Sequence, residues 1–457
     1  MNPSLAAEIR TLVAEDLASE EGAGLRGDDR REFARQCIFE HLDGLAGAVA
    51  GESPAIAPTE EQAVAQSVLD ALFGMGRLQS LIDDEDIENI DINGCDRVWV
   101  TYADGSKELM ASVADSDDEL IDVIRSAAGR FGLSERRFDL ARPELDLRLP
   151  DGSRLSALMA VTARPAVSIR RHRYADLTLG ELVDLGTLGE DLASLLAAAV
   201  RSRKNIVVSG AMNSGKTTLL RALAAEIPAR ERIVTIEQAF ELGLDAARHR
   251  HPDLVALEAR PANVEGEGLI SVADLVRRAL RMNADRVIVG EVLGDEVLPM
   301  LNAMSQGRSG SMCTIHSDSS AGVFRRIASY SVQAPERLPL EASNLLVAGA
   351  VHFVVHLDSD MHEIADDAGA QVPPVRRLSG WPGEAGMHHR FPSQQARQRF
   401  VSSVREVVDA EGAHVVSNEV FAPGPDRRAR PAAPLRPDTR QELARAGYAV
   451  PVAGFPA

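Results

Sequence analysis

Residues Asn205 to Arg221 read NIVVSGAMNSGKTTLLR, and most of what the chain folds into can be worked out from them. The apolar, β-branched run Ile206-Val207-Val208 has the length and composition of a buried strand. A full G-x-x-x-x-G-K-[ST] pattern follows from Gly210 to Thr217, and the residues after it have the composition of a helix. A glycine-rich loop between a strand and a helix is the context in which this pattern binds phosphate. The stretch therefore predicts a nucleoside triphosphate site, and a chance glycine turn is the weaker alternative.

The residue types in this loop match the chemistry of phosphate binding. Gly210 and Gly215 let the backbone wrap closely around an anion, so that its N–H groups and the helix N-terminus face the phosphates. Lys216 supplies a cation for the β- and γ-phosphates, and Thr217 offers a hydroxyl to Mg²⁺. We expect ATP to be bound by the whole loop, that is by Gly210, Ala211, Met212, Asn213, Ser214, Gly215, Lys216, Thr217 and Thr218.

The composition restricts the class of protein. The chain has 457 residues, a formal net charge of −19 and only 4% aromatic residues, which disfavours a general nucleic-acid surface. Its three cysteines, Cys37, Cys95 and Cys313, are far apart in the sequence, as is typical of a reducing compartment. No signal peptide or membrane-spanning apolar run is evident. We expect a cytoplasmic protein that reaches a membrane only through partners, without inserting into it.

The periodicity of the chain predicts an α/β fold with four regions. Residues 1–58 form an N-terminal helical region, and residues 59–173 a smaller α+β domain. Strands and helices alternate through residues 174–357, as expected of a nucleotide-binding domain with a parallel-rich sheet. Residues 358–457 are predicted to form a loop or insertion up to about Gln398 and then a small β-rich appendage.

Three polar residues end predicted strands downstream of the loop. Glu291 closes an apolar run and is the candidate for activating water or binding the metal ion. Glu237 ends another strand, where it would hold metal-bound water or orient the nucleophile, although a chance strand-end acid is a serious alternative. His316 ends a third, where it would donate to the γ-phosphate or sense its loss, but an isolated histidine is as often structural.

Arginines cluster in the predicted α+β domain, around a hairpin and the run that follows it. Guanidinium groups there would reach a bound nucleotide from the same chain or from a neighbouring copy, as arginine fingers do. Simple solvation of the hairpin is at least as good an explanation for any one of them. The candidates are Arg148, Arg154, Arg170 and Arg171.

With these residues in place, the chain resembles the type II/IV class of secretion ATPases, in particular its CpaF-like, tight-adherence pilus branch. The resemblance covers about residues 60–357, and more loosely 400–448, and depends on many motifs in a fixed order. They are LFGMGRLQSLIDDEDIENIDINGCDRVWV, LPDGSRLSALM, VSIRR, GAMNSGKTT, RIVTIEQAFEL, ADLVRRALRMNADRVIVGEVLGDEVLPMLNAMSQG and GSMCTIH.

The resemblance implies a RecA-like ATPase domain, a homo-hexameric ring and ATP hydrolysis with Mg²⁺ that drives pilus assembly through inner-membrane platform proteins. By position, Lys216 and Thr217 bind phosphate and Mg²⁺, Glu237 and Glu241 form an acidic box, and Glu291 is the Walker B carboxylate. Thr217, Glu237 and Glu291 are the implied metal ligands. His316 is the histidine-box residue, and the four arginines match the interdomain arginines of the family.

Four positions depart from the family pattern, and they keep other functions open. The family has Gly at Asn213, an acid at Gln238, Arg at Leu293 and His at Arg308. One alternative is a conjugation or type IV secretion ATPase that moves protein or DNA. Another is a regulatory subunit that binds nucleotide but hydrolyses it slowly, and the changes at the last three positions favour this one.

Overall fold

The computed structural model describes residues 3–48, 57–102, 105–132, 137–171, 177–262, 266–363, 390–391 and 395–449. The chain divides into two compact units. The first is built from Met1–Arg173 and Ile364–Gln394, and the second from Tyr174–Glu363 and Gln395–Ala457.

The first unit begins with helices that share an apolar core. They are α1 (Pro3–Ala18), α2 (Glu20–Ala23), α3 (Gly27–Ala48) and α4 (Pro58–Phe73). Ile9 and Val13 of α1, Ile38 of α3 and Val64 of α4 are buried in this core. They recur at helical spacing, so each helix turns one apolar side toward its neighbours.

The rest of the first unit is a sheet in which every strand pair is antiparallel. Among the described residues the strands are β1 (Ile87–Asn93), β2 (Val98–Tyr102), β3 (Lys107–Met110), β4 (Glu144–Arg148), β5 (Arg154–Leu158), β6 (Ala166–Arg170) and β13 (Arg390–Phe391), in the order β13-β3-β2-β1-β6-β5-β4. Helices α5 (Gln79–Asp83) and α6 (Asp117–Phe131) belong to the same unit. One face of the sheet is apolar, as the alternation in the predicted hairpin indicates.

The second unit alternates strands and helices along the chain. Its strands are β7 (Ile206–Gly210), β8 (Ile233–Glu237), β9 (Leu254–Glu258), β10 (Arg286–Val292), β11 (Met312–His316), β12 (Phe353–Glu363), β14 (Gln395–Glu411), β15 (His414–Pro423) and β16 (Ala429–Pro431). Its helices are α7 (Leu179–Asp184), α8 (Glu190–Arg201), α9 (Lys216–Ala224), α10 (Val272–Ala279), α11 (Val297–Ser305), α12 (Gly322–Gln333), α13 (Leu340–Ala350) and α14 (Pro437–Arg445).

These strands form one sheet within the described residues, in the order β9-β8-β10-β11-β7-β12-β14-β15-β16. The first six strands of that order are parallel and the last three are antiparallel. The predicted α/β class with a parallel-rich sheet is confirmed. Strand β7 lies between β11 and β12, so that Gly210 is opposite His316 on one side and Leu357 on the other.

The C-terminal strands differ from the prediction. We expected a strand ending at Leu357, then a loop, then a separate β-rich appendage. Instead β12 continues to Glu363, β14 begins at Gln395, and β14 to β16 extend the nucleotide-binding sheet itself. The physical reason is that β14 pairs with the free edge of β12, a contact between distant segments that local periodicity does not encode. The rest of the predicted loop, 364–389 and 392–394, lies outside the described residues.

The central strand β7 is buried on both faces, which explains its continuous apolar run. Ile206 and Val208 pack with α8 and α9 on one face. Val207 points to the opposite face, which α10, α11, α12 and α13 cover. Successive side chains of a strand alternate between faces, so three adjacent β-branched residues fill two separate cores.

Asn205, the residue before β7, connects the start of that strand to three neighbouring segments through side-chain hydrogen bonds. Its side-chain amide donates to the carbonyls of Met304 and Ala350, and its side-chain oxygen accepts from the N–H groups of Gly310 and Ser311. Asn205 is fully buried, and every one of these partners comes from a different stretch of chain than β7. The amino end of the phosphate-loop strand is thus fixed by one side chain.

Two expectations drawn from composition concern membranes and thiols. None of the described helices is long and apolar enough to cross a bilayer. Cys37, Cys95 and Cys313 are free and buried. Burial raises the pKa of Cys313 to about 12, because the thiolate would lose its hydration. The Cys313 thiol is therefore a poor nucleophile at neutral pH.

Replacing Asn205 should destabilise the second unit strongly. In N205A the carbonyls of Met304 and Ala350 and two loop N–H groups lose their partner in a buried site, and each orphaned group costs about 1–3 kcal/mol. We expect a loss of about 3–5 kcal/mol in the free energy of unfolding, measured by chemical denaturation. The control is N302A, because the side chain of Asn302 makes no hydrogen bond within the described part of the chain. Equal stability of the two variants would refute the role of Asn205.

His352 should make stability depend on pH. Burial lowers its pKa to about 4, and the nearby Lys204 ammonium adds to this. Its Nδ1 accepts the backbone N–H of Asn205, which requires the neutral ring. The folded pKa lies below the unfolded value, so the full stability is present above about pH 6.5 and falls as the pH falls toward 4, by up to about 1.4 kcal/mol per pH unit.

The variant H352N isolates this effect, because an asparagine oxygen accepts a hydrogen bond at any pH. Denaturation curves between pH 7 and pH 4 should be less pH-dependent for H352N than for the parent chain. Identical slopes in the two proteins would show that His352 does not titrate on unfolding.

Candidate active site

The phosphate loop connects β7 to α9 in a backbone conformation that only some residues adopt. A side chain at Gly210 would lie 2.5 Å from the Ser214 hydroxyl and 2.6 Å from the Leu357 carbonyl, so there is no room for one. Gly215 has a φ of 94° and Asn213 a φ of 59°, both left-handed. Asparagine is among the few non-glycine residues that tolerate this region, which explains how Asn213 replaces the glycine of the family pattern.

The ammonium of Lys216 is buried and bound within the loop. Its Nζ lies 2.9 Å from the Ala211 carbonyl, 3.3 Å from the Gly210 carbonyl and 3.0 Å from Nδ1 of His316. An ammonium only donates, so Nδ1 is the acceptor and the ring proton is on Nε2. That nitrogen lies 2.8 Å from Oε1 of Glu291. The structure therefore brings together three predicted residues in one line, Lys216–His316–Glu291.

The two acids of the acidic box do different things. Glu237 is buried, and its Oε2 accepts the backbone N–H groups of Glu241 and Leu242, each at 2.7 Å. Glu241 is more exposed, and its Oε1 accepts the Thr217 hydroxyl at 3.3 Å. Glu237 thus shapes the segment that carries Glu241, and Glu241 is the acid that touches the predicted metal-binding hydroxyl.

The residues present fit a magnesium-bound nucleotide. The first N–H groups of α9, on Lys216, Thr217 and Thr218, have no partner inside the helix and face the loop. The buried hydroxyl oxygen of Ser214 has no hydrogen-bond partner among the described residues. Thr217 would bind Mg²⁺, which would neutralise phosphate charge, and Glu241 is the acid in contact with the Thr217 hydroxyl.

The predicted arginines lie in the first unit, whereas the phosphate loop belongs to the second. Arg148, Arg154 and Arg170 are directly opposite one another on β4, β5 and β6, so their side chains share one face of the sheet. Arg154 forms an ion pair with Asp146 at 3.4 Å. These three form one row, which we call the arginine row.

Arg171 is placed differently from the other three. Its guanidinium donates to the carbonyls of Asp84 and Ile82, at the end of α5, at 2.5 and 2.7 Å. Capping a helix end in this way is a structural role. Two of the five guanidinium N–H groups of Arg171 are used in this way.

Comparison with known proteins decides the family. Residues 73–420 match the family described as type II/IV secretion system protein. The chain belongs to this family. It is 34% identical over 331 residues to a putative conjugal transfer protein of Mycobacterium tuberculosis, covering 69% of this chain and 90% of that one. It is 31% identical to the type IV secretion system protein PtlH of Bordetella pertussis, covering 62% and 88%. The structure of the Legionella pneumophila ATPase DotB aligns with a TM-score of 0.48 and 20% identity, covering 63% and 76%.

Family membership and the phosphate loop together make this chain an ATPase of the type II/IV secretion class. The expected recognition of the type II/IV secretion family is confirmed. The predicted site residues of the second unit lie at or just after the ends of β7, β8, β10 and β11, all at the carboxyl edge of the sheet. That edge is where ligands bind in open α/β sheets.

Two arginines of this secretion ATPase contact the site and were not predicted. Arg221 is buried on α9, and it donates to the carbonyls of Leu242 and Glu241, which fixes the acidic segment. Arg399 of β14 donates from Nε to the carbonyl of Asn213 at 2.9 Å. No local signal identifies Arg399, because its position depends on the pairing of β14 with β12.

The departures from the family pattern lie outside the Lys216–His316–Glu291 line. Leu293 is half exposed, and its N–H donates to the Glu296 carboxylate. Arg308 donates to the Leu280 carbonyl at 3.3 Å. Gln238 is exposed. None of these three side chains hydrogen-bonds to the line within the residues described.

Truncating Glu237 and Glu241 should have different effects. E237A leaves two backbone N–H groups without their acceptor, so we expect it to lower the free energy of unfolding by about 2–4 kcal/mol. E241A removes no buried partner of the backbone and should keep stability within about 1 kcal/mol, while Mg²⁺-dependent ATP turnover falls by about tenfold or more.

Denaturation and steady-state ATPase assays at several Mg²⁺ concentrations measure both effects. Higher Mg²⁺ should recover part of the E241A rate if Glu241 helps to hold the ion. A stable E237A protein, or an E241A protein with unchanged turnover, would contradict this division of roles.

Proposed function

We propose that this chain hydrolyses ATP to drive assembly of a tight-adherence or related type IV pilus, through inner-membrane platform proteins. The observation that supports this most is the Lys216–His316–Glu291 line at the carboxyl ends of three neighbouring strands. In it an ammonium, an imidazole N–H and a carboxylate are in direct contact, and these groups suit phosphate binding and the orientation of water. All the predicted catalytic residues of the second unit lie at this edge or next to it.

Each residue has a role in the proposed reaction. The loop N–H groups and Lys216 bind the phosphates, and Thr217 binds Mg²⁺ together with water held by Glu237 or Glu241. Glu291 orients the attacking water or takes its proton. The N–H of His316 that points at Glu291 keeps that carboxylate in one orientation. Binding of a phosphate draws Lys216 away from Nδ1 of His316, so the histidine also registers whether the site is filled.

The arginine row is the proposed source of the remaining positive charge. Three guanidinium groups side by side suit an anion with several negative oxygens. We infer that Arg148, Arg154 or Arg170 reaches the phosphates from the same chain or from a neighbouring copy. A homo-hexameric ring, with the enzyme at the cytoplasmic face of the inner membrane, is the assembly that this proposal requires. Partners, rather than an inserted helix, would hold it there.

A second candidate is a conjugation or type IV secretion ATPase. The relatives in Mycobacterium tuberculosis and Bordetella pertussis carry names from those systems, which favours it. The net charge of −19 and the scarcity of aromatic residues disfavour direct handling of DNA, so a protein substrate fits better. The chemistry of ATP hydrolysis would be the same in both cases.

ATP hydrolysis by the purified chain tests the proposal, with the assembly state recorded in the same buffer with and without ATP and Mg²⁺. The parent chain should hydrolyse ATP only with Mg²⁺. K216A should lose nucleotide binding, because the buried cation is removed. E291Q should keep binding, and its turnover should fall by a factor of about 10² or more.

E336Q is the matched control for E291Q, since Glu336 is an acid of the same unit whose ion-pair partner among the described residues is the surface residue Arg277. Its turnover should equal that of the parent chain. Tight nucleotide binding without turnover in any assembly state would favour the regulatory subunit over the motor. Unchanged turnover in E291Q would remove Glu291 from the mechanism.

A further inference from the structure

Strands β12 and β14 continue past the phosphate loop as a two-stranded ribbon. Strand β12 pairs with β7 only as far as Leu357, opposite Gly210. Beyond that point Asp358–Glu363 pairs with Gln395–Phe400, and we call these two segments the C-terminal ribbon. The ribbon therefore rises from the sheet at the edge where the nucleotide binds.

The register of the ribbon places one arginine over the loop. Leu357 is opposite Val401, and both pack in the core that α9 covers. Side chains alternate along a strand, so the next residue of β14 on that face is Arg399, opposite Ser359. Arg399 is the first residue on this face of β14 beyond the apolar core, and it lies level with Gly215, the residue that precedes α9. A long polar side chain at this position reaches the loop.

Arg399 makes two contacts with the loop. Its Nε donates to the carbonyl of Asn213 at 2.9 Å. Its Cδ lies 3.3 Å from where a Cβ of Gly215 would be, so the aliphatic part of the side chain packs directly against the loop backbone. The side chain is half-buried. Both contacts are to backbone that is in the left-handed region.

We propose that Arg399 is a positioning residue that holds the phosphate loop in its binding conformation. Asn213 has a φ of 59° at a position where the family pattern has glycine, and a left-handed conformation is less favourable for asparagine than for glycine. The hydrogen bond from Arg399 fixes the carbonyl of that same residue. In this chain the ribbon thus compensates for the missing glycine.

This role has a kinetic signature. If the loop already has its binding conformation before the nucleotide arrives, its N–H groups bind the phosphates without a further loss of conformational entropy. Without the hydrogen bond, only a fraction of molecules has the competent loop, and the apparent affinity falls by that fraction. The bound state is the same in both cases, so turnover at saturating ATP does not change. The effect should therefore be on KM and not on kcat.

The variant R399M tests this, because methionine keeps the packing against Gly215 but donates no hydrogen bond. We expect the KM for ATP and the Kd of a fluorescent ADP analogue to rise together, by about three- to tenfold. The kcat should stay within about twofold. R399K, which still donates, should recover part of the loss. R430M is the control, since Arg430 is exposed and pairs with Asp426 away from the loop.

Repeating the substitution in an N213G variant distinguishes a positioning role of Arg399 from a direct contact between Arg399 and the nucleotide. In N213G the left-handed conformation no longer carries a side-chain cost, so adding R399M should weaken ADP binding by at least twofold less than it does in the parent chain. The same loss in both backgrounds, or a fall in kcat with unchanged KM, would show that Arg399 acts on the nucleotide itself and would overturn the proposal.

This inference relies on nucleotide binding at the loop, and the binding assay distinguishes the two failures. If the parent chain does not bind the ADP analogue, the proposed function fails. If the parent chain binds it and R399M binds it equally well, only the role of Arg399 fails. If R399M does not fold, R399K takes its place, and its effect on ADP binding is measured with Asn213 and again with N213G. An equal effect of R399K in both backgrounds would show that Arg399 and Asn213 are not coupled and would refute the proposal.

Discussion

The structure of the second unit depends on how its short central strand is held at both ends. Strand β7 has only five residues, so a shift of its amino end would also displace the phosphate loop at its carboxyl end. Asn205 fixes the amino end with four side-chain hydrogen bonds to three neighbouring segments. Gly210 ends the strand where a side chain would collide with Leu357, so β12 can approach the loop closely. The strand that leads into the phosphate loop is thus fixed at its amino end by buried hydrogen bonds that would be costly to break.

Buried polar groups must be hydrogen-bonded at the phosphate loop as well, and this applies above all to its buried charge. A buried ammonium needs acceptors for its hydrogens, and Lys216 has two loop carbonyls and one histidine nitrogen. A phosphate oxygen is a stronger acceptor than a neutral ring, because it carries charge. In the proposed reaction a phosphate would take the place of Nδ1 of His316 at Lys216, while Nε2 would still face Glu291. His316 is therefore the residue through which the proposal connects the filling of the site to the carboxylate on β10.

Much of this arrangement could be predicted from the sequence, because its signals are local. The phosphate loop, the strand that enters it and the strand-end residues Glu291 and His316 follow from patterns a few residues long. The parallel sheet then brings those strand ends to one edge. The extension of β12, its pairing with β14 and the contact of Arg399 with Asn213 involve segments far apart in the chain. Their register is set by pairing across an insertion, and no local periodicity reports it.

The four predicted arginines show a second limit of prediction from sequence. The sequence suggested one role for all of them, but the structure gives them two kinds of placement. Arg170 is the last residue of β6, whereas Arg171 follows the strand and caps α5. Arg170 joins Arg154 and Arg148 in a row of like charges on neighbouring strands, which is an unfavourable arrangement for a sheet on its own. Asp146 forms an ion pair with Arg154, the middle residue of the row. An anion bound against this row would reduce the repulsion, and this is the physical reason for proposing a phosphate contact for the row.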